Sequence, residues 1–294
     1  MGRLYNAGKD AAVTSLVLPA FNPGPAVERT WDTVRQFLNA RPDPWEVLFV
    51  LDGCTDGSRE LLAALARRDR DSRLKVVSYF PNRGKGYAVR TGLLAARGER
   101  RVFTDIDLAY RFEDIARTAD EIRPRDGEGD GGGAEVAIAS REHPDSTIEL
   151  SPRTLGYAYR RRVQSHAFGA LARTLLPLTQ RDTQAGLKAL TARVADLILP
   201  NLTCDGFGFD CELLVACSRY NIGVAEVPVS VRYEDAASTT GIRTTLRMFR
   251  ELWTIRTLWP ASGFPAPATP VAFGASEAAA PALPPEARRA SQAA

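Results

Sequence analysis

The chain has 294 residues, 45% hydrophobic and 25% charged, so a soluble globular protein with one large core or two small ones is the default class. A formal net charge of +3 is too small to argue for nucleic-acid binding, which needs a concentrated basic face. Cys54, Cys204, Cys211 and Cys217 form no CxxC pair and have no histidine companions, which argues against a zinc site or a disulfide framework and reads as reduced packing residues.

Residues 1–12 read as a flexible N-terminus without the apolar stretch of a signal peptide, and no run approaches the roughly 18 apolar residues of a membrane span. A cytoplasmic protein is expected. Segments 13–20 (VTSLVLPA) and 46–51 (EVLFVL) are short Val/Leu-rich runs ending in turn residues, the pattern of buried parallel strands. Between them Val27, Trp31, Val34, Phe37 and Leu38 recur at helical spacing from Pro25 to Ala40. A helix over 58–68, a strand over 74–79, a helix over 86–97 and strands over 100–107 (RRVFTDID) and 135–140 (EVAIAS) follow. This alternation predicts an α/β fold: an open, mostly parallel, Rossmann-like sheet flanked by helices, with ligands beyond the carboxyl ends of the strands. Within this domain, placed at 13–240, residues 123–133 (RPRDGEGDGGG) read as a flexible loop. The Ala-, Pro- and Ser-rich stretch 260–294 reads as a disordered tail, because it has too little to bury against the entropy of ordering.

In FTDIDLAY, Asp105 and Asp107 flank one apolar residue, and a strand would aim both carboxylates the same way at the sheet's carboxyl edge. Such a pair suits Mg²⁺ or Mn²⁺ on a diphosphate, since these ions take one or two protein carboxylates and keep waters. Chance and helix capping explain most isolated D-x-D sequences, so context decides. LDGCTDGS (51–58) offers Asp52 at a strand tip, followed by Asp56 and Ser58 as turn and N-cap residues. In NRGKGYAVRTG (82–92), Gly84 and Gly86 bracket Lys85 at a helix start, where amides and an ammonium either approach a phosphate or cap a surface turn. FGFDCELL (207–214) sets Asp210 and Glu212 in an apolar stretch, where a lone carboxylate is costly and pairing to arginines is expected. His143 and His166 have no metal-ligand company.

Taken in order, VLPAFNP, LDGCTDGS, NRGKGYAVRTG, TDIDLAY, DTQAGLKAL, FGFDCELL and EVPVSV resemble family 2 glycosyltransferases, most closely the dolichyl-phosphate β-glucosyltransferase and polyprenyl-phosphate mannosyltransferase branch, from about Thr14 to Ser238. The resemblance implies a GT-A fold and an inverting transfer of a hexose from a nucleotide-diphosphate sugar, UDP-glucose favoured, to a polyprenyl or dolichyl phosphate, assisted by Mg²⁺ or Mn²⁺. It implies that Pro19, Ala20, Phe21 and Asp52 line the base and ribose pocket, that Lys85 and Asp105 approach the nucleotide, and that Asp107 is the principal metal ligand beside Asp105. Asp182 and Gln184 would lie against the transferred sugar, with Asp182 acting as base only if the acceptor is a hydroxyl. Arg141, with Arg161 and Ser165 four apart on one helix face, would grip the acceptor phosphate; a solvated basic helix is the plainer reading of that pair. Leu51 before Asp52, Pro23 after Asn22 and Ala109 after Asp107 depart from the family pattern. Two other readings therefore stay open: transfer to a soluble small-molecule acceptor, and a non-catalytic binder of nucleotide sugars.

Residues 241–259 interleave Arg243, Arg247, Arg250 and Arg256 with Leu246, Phe249, Trp253, Leu258 and Trp259. An amphipathic helix at the inner face of the membrane, a helix packed on the core and a homodimer contact all fit this pattern.

Overall fold

The computed structural model describes residues 13–123, 133–150, 166, 168–233 and 242–259. Residues 1–12 and 260–294, most of the 123–133 loop and the acceptor candidates Arg161 and Ser165 lie outside the described residues.

The chain alternates through β1 (Thr14–Ala20), α1 (Ala26–Asn39), β2 (Trp45–Asp52), α2 (Ser58–Asp69), β3 (Leu74–Tyr79), α3 (Lys85–Ala95) and β4 (Arg100–Phe103). It continues through α4 (Phe112–Glu121), β5 (Val136–Ser140), β6 (Thr147–Leu150), α5 (described over 168–175), β7 (Lys188–Thr191) and α6 (Ala192–Ile198). The last elements are α7 (Phe209–Arg219), β8 (Val224–Pro228), β9 (Ser230–Tyr233) and α8 (Ile242–Leu258). Seven strands form one sheet in the order β3-β2-β1-β4-β7-β5-β8. Strand β7 is antiparallel to both neighbours and the other pairings are parallel. The small parallel ladder of β6 and β9 touches the segment after β4 through a Tyr110–Val231 bridge.

Strands β1, β2 and β5 are buried on both faces, which is why they read as continuous apolar runs rather than alternating ones, whereas β3, at the edge of the sheet, is partly exposed. Leu16, Leu18, Val47, Phe49 and Leu51 pack with the α1, α2 and α4 side. Val17, Leu48 and Val50 pack with α3, α6, α7 and α8 on the other. Helix α1 contributes Val27, Trp31, Val34 and Leu38, all buried, at a spacing that lays them along one stripe. Each such side chain contributes about 1.5–3 kcal/mol.

Strand β4 is shorter than the sequence suggests. It ends at Phe103, and Asp105 to Leu108 form a turn closed by Leu108 N donating to Asp105 O at 3.1 Å, with Leu108 at φ +50°. Thr30 Oγ1 on α1 donates to Ile106 O at 3.0 Å and draws the turn toward that helix. The expectation that strand periodicity aims both aspartates is thus corrected: a turn presents them.

The chain moves outward from β1 to β2 and β3, then returns to β4 on the other side of β1. That reversal opens a crevice beyond the carboxyl ends of β1 and β4, the usual ligand position on such sheets.

Helix α8 packs one face on the core through Met248, Leu252 and Ile255, with Trp259 just beyond it. Arg256 Nη1 donates to Leu175 O at 3.0 Å. Its other face leaves Phe249, Trp253 and Leu258 exposed. Among the described residues no helix is long and apolar enough to cross a membrane.

Candidate active site

Pro19 and Ala20 are buried at the tip of β1, and Phe21 just beyond is 57% exposed. The loop they enter is laced to the one after β2. Asn22 Oδ1 accepts from Thr55 N at 2.9 Å, Cys54 Sγ accepts from Asn22 N at 3.2 Å, and Asp56 Oδ2 accepts from Gly24 N at 2.6 Å. Partial burial works against the Asp56 charge, but hydrogen bonds from Ser58 and Gly24 outweigh it and hold the carboxyl below its ordinary range. Asp56 is therefore a turn residue, and Ser58, the first residue of α2 behind the N-cap Gly57, helps it fix the crevice wall.

Asp52, at the tip of β2, is buried and fully engaged with the NRGKG segment. Its Oδ1 accepts from Arg83 N at 2.7 Å, and its Oδ2 accepts from Gly84 N and Asn82 Nδ2, both at 2.8 Å. The carboxylate sets the path of the loop that carries Lys85. Gly84, at φ +109°, is a position where only glycine is comfortable.

Lys85 Nζ pairs with Asp105 Oδ1 at 2.5 Å. Burial pushes the ammonium pKa down, but the charges of Asp105, Asp210 and Asp107 prevail and raise it, so the group stays cationic. Asp107 Oδ1 accepts from Ala109 N at 3.2 Å within the turn. The DTQAGLK segment closes on this pair: a Cβ at Gly186 would stand 2.5 Å from Asp105 Oδ2 and 3.8 Å from Lys85 Nζ. Glycine at 186 thus lets three motifs distant in sequence meet at one point.

Asp182 and Arg141, assigned separately to the sugar and to the acceptor, form one ion pair. Arg141 Nε donates to Asp182 Oδ2 at 2.6 Å, Nη2 to Oδ1 at 2.9 Å and the Arg141 amide to Oδ2 at 3.1 Å. Gln184 N also donates to Asp182 Oδ1, at 3.2 Å. Asp182 is 4% exposed. Burial would raise its pKa, yet the hydrogen bonds and charge of Arg141 overcome this and lower it, so the group is a weak proton acceptor at neutral pH. Gln184 Nε2 lies 3.9 Å from Cys211 Sγ, whose thiol burial pushes up to about 12.

The sequence reading missed Lys188. It is completely buried, donating to Ala185 O at 2.7 Å and to Asp210 Oδ1 at 2.6 Å. The expected arginine partners of Asp210 and Glu212 are corrected accordingly: Asp210 pairs with this lysine, and Glu212 accepts from Thr203 N, Thr203 Oγ1, Cys204 N and Trp259 Nε1. A lysine inside an apolar strand segment was the available signal, since a buried ammonium requires a carboxylate. His166 Nδ1 lies 3.0 Å from Glu142 Oε1, and His143 Nδ1 accepts from Asp145 N at 3.2 Å. Among the described residues no group of three or more His, Cys, Asp or Glu side chains is arranged to hold a metal by protein ligands alone.

The model of "Glycosyl transferase family 2" matches residues 15–167. The chain belongs to glycosyltransferase family 2. It is similar to the dolichyl-phosphate β-glucosyltransferase of Dictyostelium discoideum, 27% identical over 252 residues, covering 84% of this chain and 75% of that protein. The human enzyme of the same name is 26% identical over 250 residues, covering 82% and 74%. Among solved structures, glucosyl-3-phosphoglycerate synthase from Mycobacterium tuberculosis, in complex with Mn²⁺, UDP and glucosyl-3-phosphoglycerate, superposes with a TM-score of 0.55 at 20% identity, covering 86% of this chain and 82% of that one. The fold is therefore of the GT-A type, and the protein is a glycosyltransferase.

Proposed function

We propose that this family 2 enzyme transfers glucose, with inversion, from UDP-glucose to a polyprenyl or dolichyl phosphate. The observation that carries the acceptor is the Arg141–Asp182 pair: the acid that the family resemblance offers as a base is paired with a bidentate arginine that lowers its pKa and makes it a weak proton acceptor. A hydroxyl acceptor needs proton removal, whereas a lipid phosphate oxygen is already anionic and needs none. The relatives named dolichyl-phosphate β-glucosyltransferase, matched over more than four fifths of this chain, support the same acceptor and the glucose donor.

The chain's residues divide the work by chemistry. Lys85, kept cationic, faces charge that builds on the departing diphosphate, a form of fixed electrostatic stabilisation. Asp52 orients the Lys85 loop, while Pro19, Ala20 and Phe21 offer a surface for the base and ribose. Asp105 and Asp107 supply hard oxygen donors in a turn, and Asp105 retains 39% side-chain exposure, which fits sharing Mg²⁺ or Mn²⁺ with a diphosphate. When bound there, the ion neutralises the leaving group. Gln184, beside Asp182, would hydrogen-bond the sugar.

For location, the outer face of α8 supports a peripheral site at a membrane surface, which we take to be the cytoplasmic one, because exposed Phe249, Trp253 and Leu258 stand among exposed Arg247, Arg250 and Arg256. Wild type should cosediment with vesicles containing anionic lipid, and Phe249→Ser with Trp253→Ser should abolish this. Equal sedimentation of both proteins would remove the membrane reading, and a dimer lost in the variant would assign the face to a second subunit.

The function itself is tested by transfer of labelled glucose from UDP-glucose to a short-chain polyprenyl phosphate. Asp182→Asn is expected to keep at least about a tenth of the wild-type rate, since removing a general base costs 10²–10⁴-fold. Transfer only to soluble hydroxyl acceptors, abolished in Asp182→Asn, would overturn the proposal.

A further inference from the structure

Two sets of contacts hold Lys85 in place. Asp52 fastens the amides of Arg83 and Gly84 from β2. The second set comes from residues 203–208, between α6 and α7. Tyr87 N donates to Asp205 O at 3.2 Å, and Arg90 Nη2 donates to Asp205 Oδ1 at 2.6 Å. A Cβ on Gly84 would stand 2.5 Å from Asp205 O, and one on Gly86 2.7 Å from both Cys204 O and Gly206 O. The two backbones touch, so a shift of one displaces the other.

Two buried or half-buried acids in turn shape residues 203–208. Glu212 on α7 accepts from Thr203 N and Cys204 N. Glu251 on α8 accepts from Gly208 N at 2.7 Å, and its side chain occupies the space that a Cβ on Gly206 or Gly208 would need. Trp259 Nε1, one residue past α8, donates to Glu212 Oε1 at 3.0 Å and ties the two acids into one assembly.

We infer that Glu251 is a positioning residue for the donor site: through Gly206, Gly208 and the backbone of Gly84 and Gly86 it sets Lys85 against Asp105, which makes α8 part of the frame of the diphosphate site. The inference rests on the reading of Lys85 as a donor-site residue given above. It assigns the inner face of α8 a task separate from its exposed aromatic face, and it explains why two glycines stand opposite one glutamate: no larger residue leaves room for the carboxylate.

The test uses the full chain as wild type, Glu251→Ala, Glu251→Gln and Gly206→Ala, with amide exchange by mass spectrometry and steady-state kinetics in UDP-glucose and Mn²⁺. Glu251→Ala and Gly206→Ala are expected to speed exchange at Tyr87 while leaving β2 unchanged, and to raise KM for UDP-glucose about tenfold, the scale of a modest misplacement in a binding site. Gly206→Ala evicts the carboxylate without altering α8. Glu251→Gln keeps an acceptor oxygen for Gly208 N and should restore both readouts to within about threefold of wild type. Wild-type exchange and KM in both Glu251→Ala and Gly206→Ala, with only a lowered unfolding midpoint, would overturn the inference. If wild type itself does not use UDP-glucose, the proposed donor fails, and exchange at Tyr87 still decides the role of Glu251.

Discussion

The two halves of the crevice use their acids differently. On the β1–β2 side, Asp52 and Asp56 accept hydrogen bonds from backbone amides in glycine-rich turns. On the β5–β7 side, Asp182 and Asp210 are matched to cationic side chains, Arg141 and Lys188. The first arrangement shapes loops, and the second keeps charge out of water. Their failure modes differ as well: loss of an acid leaves an amide that water can reach in one half, and an uncompensated buried cation in the other.

The largest contrast should appear in stability. Asp210→Ala is expected to cost about 3–5 kcal/mol in urea unfolding, because it strands the Lys188 ammonium, and Lys188→Met with Asp210→Leu should recover most of that. Asp56→Ala should cost only about 1 kcal/mol, the scale of a lost turn or cap acceptor. Equal losses for Asp210→Ala and Asp56→Ala would erase the distinction between the two halves.

A smaller effect lies in pH dependence. The Asp182 carboxyl is lowered in the folded state below its ordinary value of 3.8, so the stability it contributes is fully present above that value and lost as pH falls through the folded one. The gap in melting temperature between wild type and Asp182→Asn should therefore stay constant from pH 8 to pH 5 and narrow below 3.8. A gap that closes near neutral pH would mean that Arg141 does not hold the charge.

The same contrast explains what could be read from the amino-acid order. Strand β3 was legible to the residue, although LKVVSY sets Lys75 and Ser78 among Leu74, Val76, Val77 and Tyr79 and lies at the partly exposed edge of the sheet. Asp56 was legible as turn chemistry because Gly and Asx residues mark turns locally, whereas the N-cap of α2 is Gly57 and Ser58 is its first helical residue. The end of β4 was not, because TDID continues the strand pattern and only the contact of Ile106 with Thr30 on α1 shows where the chain leaves the sheet. Ion-pair partners were invisible for a related reason: Arg141 and Asp182 stand 41 residues apart, and nothing local tells which of many arginines a buried aspartate meets. Motif order identified the family, while tertiary pairing decides how basic Asp182 can be.

The central claim is that Lys85, Asp105 and Asp107 form a metal-assisted diphosphate site for UDP-glucose. Calorimetric titration of UDP-glucose with and without Mn²⁺, on wild type and Asp107→Ala, tests it most directly. The account predicts Mn²⁺-dependent binding by wild type that weakens by about 2 kcal/mol or more in the variant, the scale of a lost charged ligand. Equal binding by both proteins, or binding indifferent to Mn²⁺, would contradict it.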